Sequence, residues 1–465
     1  MTENKKVNGK TVREYIGEFI VFFVCLDSYL LIFPFNIASK HMAVAFELPI
    51  HNIGIYFSKL HSLGYLMMAL GAVIEYALYV CHSDIRKYLS IVTLSIRTIA
   101  RLLFVIIMYT SNGLSFHIYI ELTGEALLLG LFQNGLLSIA PEYAPIISLS
   151  LDSSFLAAFI LQVIFDLLMY DKPLLMIRIQ GIIRLVTSLA SVCLWSFFLL
   201  KFDSVFPKHD TGKEIQEDTE QQRNNLAATG ESSGTKVSFF NHLANVSSQF
   251  LMLGSTALFK EFLYPAIIPY AVLERDKCHI INISVPPFYL IGSLAMLAIH
   301  KLAPGFKYWS PEYHSFWLLL LPQIFCLVTS LMAIHTKVQF TRKFLHSRSG
   351  VLILTLLLIV SYCTMQSIGF VSVADYVYYQ SRDVDGSIGI ITLHTISAIV
   401  CRFVFSKLSV GYNDTRVQLG YHLPKFRPNH RMSDSNTFVY ILKNTFNRSL
   451  KDTVTEFKMN IRKYL

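Results

Sequence analysis

Apolar residues in this chain gather into long runs separated by short polar breaks. A helix that crosses a bilayer needs about 20 predominantly apolar residues. Runs of that length lie at roughly 16–38, 53–80, 89–110, 116–138, 145–170 and 178–201. Five more lie near 246–273, 281–302, 315–335, 350–376 and 387–408. Between the two sets stands a stretch rich in Glu, Gln, Asn, Ser, Gly and Thr, with the composition of a disordered linker. The pattern predicts an all-α polytopic membrane protein of about eleven transmembrane helices in a six-plus-five, two-bundle, major-facilitator-like arrangement. The predicted parts are a cytoplasmic N-terminus (1–15), a six-helix bundle (16–202), a hydrophilic cytoplasmic loop (203–237), a five-helix bundle (238–409) and a polar basic tail (410–465).

Composition supports this pattern. The chain has 465 residues, 53% of them hydrophobic and only 15% charged, with mean hydropathy +0.47. A soluble chain carries about 25% charged residues, so the polar surface needed to cover soluble domains of this length is missing. The net charge of +9 does not point to nucleic acid, because ten Lys/Arg against four Asp/Glu in the tail supply +6 of it. The seven cysteines are scattered through apolar runs without a CxxC or zinc spacing, which reads as small packing residues. No GxSxG, HExxH or P-loop sequence occurs, so neither an enzyme nor a cofactor is expected.

Short-loop charges set the expected orientation. Lys5, Lys6, Lys10 and Arg13 place the N-terminus in the cytoplasm, and Arg86, Lys87, Lys301 and Lys307 agree. Lys337, Arg342, Lys343 and Arg348, together with the tail, would fall on the outer side of an eleven-span chain, against the same rule. The sequons at Asn413 and Asn447 would then be open to glycosylation.

Ionisable groups within spans are costly and usually face the bundle interior. The first half holds Asp27, Glu75, Arg97, Arg101, Glu121, Glu125, Asp152, Asp166 and Arg184. Arg97 and Arg101 are four residues apart, as are Glu121 and Glu125, so each pair shares a helix face. Mutual neutralisation and a role in transport are both open for these four. In the second half stand Lys260, Glu261, Gln366, Asp375, His394 and Arg402. Arg402 is expected to snorkel from a span end, and His394 to be a satisfied packing residue. Asp27 precedes Asn36 by nine residues, half a turn out of phase on one helix, so the two belong to opposite faces.

Several segments together carry a family resemblance. Span one ends Phe33-Pro34-Phe35-Asn36, which resembles the Leu-Pro-Trp-Asn signature of the equilibrative nucleoside transporters, with Phe35 in place of Trp. Gln133-Asn134-Gly135, Pro141-Glu142-Tyr143, Thr256 with Phe262-Leu263-Tyr264-Pro265, and Gln366-Ser367-Ile368-Gly369 look like that family's later motifs, in order. Span eight departs from it: Tyr289 and Ser293 flank Gly292 where the family carries Asp and Arg.

The resemblance covers about residues 16–408 and implies a facilitative carrier of nucleosides or nucleobases working by alternating access. Phe35 would offer a face to the base, and Asn36 and Gln133 hydrogen bonds, with Arg97, Arg101 and Gln366 as further substrate-binding candidates. Expected partners are the lipid bilayer, a nucleoside or nucleobase and, given the embedded carboxylates, protons. The expected location is the plasma membrane, with an intracellular membrane as the alternative. A major-facilitator-type carrier for another polar solute and a non-transporting receptor or assembly protein remain open.

Overall fold

The computed structural model describes residues 6–7, 10–30, 39–47, 53–82, 85–111, 113–201, 239–273, 275–336, 338–381, 384–421 and 430–456. The 203–237 loop and both Phe35 and Asn36 lie outside the described residues. Apart from a two-residue pairing of Lys6–Val7 with Lys10–Thr11, the described regular structure is helical.

The first half contains α1 (Val12–Tyr29), the short α2 (Ser39–Ala45), α3 (Ile53–Cys81), α4 (Ile85–Thr110), α5 (Leu114–Ile139), α6 (Ala144–Met169) and α7 (Pro173–Lys201). The second contains α8 (Phe239–Asn245), α9 (Ser247–Leu263), α10 (Arg275–Ser284), α11 (Pro286–Leu302), α12 (Leu320–His335), α13 (Gln339–His346), α14 (Arg348–Asp375), α15 (Val384–Gln418) and α16 (Asp434–Glu456). Nine helices among the described residues are long and apolar enough to cross a membrane. The remaining two predicted spans are α1, which carries Glu14, Glu18 and Asp27, and α9, which is only 17 residues long. Both are integral to the packing: α1 lies on α6 and α7, and α9 on α14 and α15. Six long helices followed by five therefore reproduce the predicted two bundles.

The second half departs from the predicted spans at its first one. The apolar run 246–273 is not a single helix, because Pro265 and Pro269 cannot continue one. The helix stops at Leu263, and 264–273 forms consecutive turns that bury Ile267, Ile268 and Ala271 in the second core. Pro265 and Tyr270 in the same segment are exposed.

Close helix crossings hold the first bundle together. A Cβ on Gly130 would stand 2.0 Å from the Met68 carbonyl oxygen, and one on Gly71 would stand 2.2 Å from that of Leu127. The two glycines thus let the backbones of α3 and α5 touch, the small-residue packing used by membrane helices. Gly292, retained in span eight, does the same for α11 against α14, where a Cβ would meet the Cys363 backbone at 2.4 Å.

The tail is the largest gain over the sequence reading. Part of it is α16, which turns back along α15. Ser449 donates to the Lys407 carbonyl oxygen (2.9 Å), and the Lys407 ammonium contacts Asp452 (2.6 Å). The inner face of α16 is small and polar, with Thr437, Thr445 and Ser449 buried. Its outer face exposes Phe438, Leu442, Phe446, Leu450 and Val454, spaced four apart. Averaging over the two faces conceals this stripe from any hydropathy window. Both tail sequons lie within helices, with Thr415 and Ser449 buried, so neither is the surface loop expected of an acceptor.

Replacing Gly130 by Ala is expected to destabilise the protein by about 1–3 kcal/mol through overpacking. Gly254→Ala, where nothing lies within 4 Å of the added Cβ, should leave stability unchanged. Thermal unfolding of the detergent-purified variants distinguishes the two.

Candidate functional site

A partly open cavity of about 90 Å³ lies between the two bundles. From the first half it is lined by Tyr29, His61, Tyr65, Met68, Leu129, Gln133, Ile147, Ser148 and Leu151. The second half contributes Leu253, Gln366, Phe370, His394, Thr395, Ala398, Ile399 and Arg402. Its lining has the make-up of small-molecule sites, which combine apolar walls with a few convergent polar groups. Here the walls are aromatic and aliphatic, and the polar groups are two amides, two imidazoles, hydroxyls and one guanidinium.

Beside the cavity, hydrogen bonds cross from one bundle to the other. Ser148 on α6 donates to the hydroxyl of Ser367 on α14 (3.0 Å). Asn134 on α5 donates to Thr392 on α15 (3.3 Å), and Tyr378, just past α14, to the Glu142 carboxylate (2.9 Å). These contacts lie where α5 and α14 finish and α6 and α15 begin. Each is a neutral or half-neutral hydrogen bond, of the modest net strength that a reversible contact requires.

Of the six substrate-binding candidates, the structure brings Gln133 and Gln366 to the cavity. The Oε1 atom of Gln133 is out of contact with water and has no hydrogen-bond partner among the described residues. Gln366 Oε1 accepts a hydrogen bond from Arg402 Nη2 at 2.9 Å. Phe35 and Asn36 are outside the described residues. Arg97 and Arg101 do not line the cavity; both are fully buried inside the first bundle.

Their partners there are mostly carboxylates. Glu125 Oε1 accepts from Arg97 Nε (3.1 Å) and Arg101 Nε (2.8 Å), while Oε2 accepts from Arg184 Nη2 (2.7 Å). Arg101 Nη1 also reaches Asp27 Oδ1 (2.5 Å), and Arg97 donates to the Ser28 carbonyl oxygen. Of the two acidic residues that face the arginine pair in the sequence, only Glu125 is bonded to it. Both oxygens of Glu121 are without a hydrogen-bond partner among the described residues. The adjacent Lys260 and Glu261 pair with each other at 2.9 Å.

Three residues depart from their sequence expectations. Arg402 does not snorkel: α15 continues to Gln418, so residue 402 falls inside the span and faces the cavity. His394 is not a satisfied packing residue, since its Nε2 has no partner among the described residues and its ring lies 4.8 Å from that of Phe250. Arg86, which reads as a loop charge, is buried and donates to Glu75 through Nε at 2.5 Å. Glu75 in turn accepts from Asn134, the residue that bridges to Thr392. The cue for this cluster was Glu75 itself, a carboxylate within a span and hence in need of a cation nearby.

No family model and no curated protein matches the sequence. Solved structures match by shape. A D-xylose–proton symporter superposes with TM-score 0.55 at 11% identity, covering 94% of this chain and 96% of that one. A bacterial homologue of the iron transporter ferroportin gives TM-score 0.49 at 12% identity, covering 95% and 98%. The symporter superposition runs over nearly the whole of both chains and shows the fold: an all-α, polytopic, major-facilitator-like membrane protein.

Glu125→Gln removes the carboxylate that three buried arginines share, although Arg101 keeps Asp27, and is expected to cost about 3–5 kcal/mol of stability. Glu121→Gln removes no hydrogen bond seen among the described residues and should unfold near the wild-type temperature. Comparing thermal midpoints and folded yield of the two variants in detergent tests the assignment.

Proposed function

We propose that the chain is a membrane carrier that moves a nucleoside or nucleobase between the two sides of a bilayer by alternating access. The observation that carries this reading is the cavity itself: it lies between two bundles, is lined by both, and has hydrogen bonds beside it that cross from one bundle to the other. Rocking of one bundle against the other breaks such contacts at one end and makes others at the opposite end. The chemistry of the lining supports the substrate class. Tyr29, Tyr65 and Phe370 provide flat apolar faces, and Gln133 and Gln366 provide amides able to donate and accept in the plane of a heterocycle.

In this reading Arg97 and Arg101 act through position. Arg101 fixes Asp27 on α1, two residues before Tyr29, so the ion-pair cluster holds a cavity wall in place. Asn36 and Phe35 follow Tyr29 in sequence and remain substrate-binding proposals. Transport is facilitative, with net flux set by the substrate gradient.

Uptake of radiolabelled adenosine, inosine, hypoxanthine and xylose by a host lacking its own carriers tests the proposal. Saturable uptake of the purine compounds is expected, with little for xylose. Gln133→Ala is expected to raise KM about tenfold, the effect of losing roughly 1.4 kcal/mol of hydrogen bonding. Unchanged uptake in both Gln133→Ala and Asn36→Ala would remove these two residues from the site, and absence of any purine uptake would overturn the substrate class.

A further inference from the structure

Arg402 differs from the embedded arginines of the first half. Arg86, Arg97, Arg101 and Arg184 each hold a carboxylate. Among the described residues no carboxylate stands within the 4.0 Å ion-pair distance of Arg402. Its hydrogen bond is to a neutral amide, Gln366 Oε1, at 2.9 Å. A guanidinium has five N–H donors in one plane, so most of the fork remains uncommitted beside the cavity that Arg402 lines. Glu261 and Asp152 act on Arg402 only from beyond that distance, and inside a span a cation with no carboxylate bonded to it is costly and is usually retained for function.

Gln366 extends the same donor edge. Because its Oε1 is turned to Arg402, its Nε2 is directed elsewhere, and that amide also lines the cavity. On the first-half side, the buried Oε1 of Gln133 needs a donor. A complementary ligand therefore carries two adjacent acceptors on one flat edge and an N–H on another.

We propose that Arg402, braced by Gln366, is the specificity-determining residue of the cavity and binds its ligand through two neighbouring acceptor atoms on one planar edge. The inference rests on the nucleobase reading for its first candidate, a 6-oxopurine, whose O6 and N7 match a guanidinium fork. A 6-aminopurine replaces O6 by an amino donor and would face the fork donor to donor. The same two-acceptor chemistry occurs in a carboxylate on an aromatic ring, which Arg likewise takes bidentately.

The test is equilibrium binding to the full-length protein in nanodiscs, with hypoxanthine against adenine and nicotinate against nicotinamide as paired probes. Wild-type protein is expected to prefer hypoxanthine to adenine by roughly 5–150-fold, the range of one bidentate contact. Arg402→Gln should abolish that preference. Arg402→Lys, which keeps the charge and loses the fork, should abolish it too. Gln366→Glu supplies the missing carboxylate, so it should occupy Arg402 and weaken binding while the protein stays folded, as read by its thermal midpoint.

Binding of nicotinate over nicotinamide that is lost in Arg402→Gln, without purine binding, would retain Arg402 as the acceptor-reading residue and overturn the nucleobase reading. Purine binding with the same hypoxanthine preference in wild type and Arg402→Gln would overturn the role of Arg402 and leave the nucleobase reading intact. Wild-type protein that binds none of the four probes, or binds both members of each pair equally, also overturns the proposal.

Discussion

Glu125 is the point on which the first bundle depends. One carboxylate within a span accepts hydrogen bonds from Arg97, Arg101 and Arg184, which come from two helices. Arg101 carries the connection onward to Asp27, so α1, α4, α5 and α7 meet at a single charged knot. Any one of these ions alone in hydrocarbon would be expensive, and together they are tolerable only in this arrangement. The geometry of the helices is therefore tied to the electrostatics at their centre. A shift of α1 would move Tyr29 in the cavity and part Asp27 from Arg101 at the same time.

The second bundle is built differently. Its core is mainly apolar, and its charged groups form separate pairs, such as Lys260 with Glu261 and Lys407 with Asp452, rather than one dense ion cluster. A rigid charged half thus faces a softer half across the cavity, with hydrogen bonds of ordinary strength at the seam. That division suits a protein in which one bundle is a fixed reference and the contacts between bundles are made and broken. The cavity inherits the asymmetry: Arg402, its one arginine, comes from the softer half.

Much of this architecture is legible in the sequence because the bilayer imposes a simple rule on length and polarity. The eleven runs and the polar divide at 203–237 follow from it directly. Gln133 and Gln366 were also recoverable, since polar side chains in apolar helices must face something other than lipid. Arg402 was misplaced because the run appeared to end near residue 408, whereas α15 continues to Gln418 through polar residues covered by α16. Arg86 was missed for the opposite reason: it lies in the first turn of α4, where a charge is ordinarily solvated. Single-helix patterns do not show which neighbour covers which face, and that is what decides both cases.

The return of α16 along α15 has a consequence for parity. Its residues 445–452 lie beside 407–411, so the chain leaves the far end of α15 and doubles back toward the level of that helix's middle. With α16 included, each half has six long helices, although the last contributes lipid-like residues only along one strip. A protein whose amino acids read as an odd number of passes thereby acquires the even-handed outline of a paired structure. Its C-terminal helix becomes part of the outer wall, with Phe438, Leu442, Phe446, Leu450 and Val454 exposed along it.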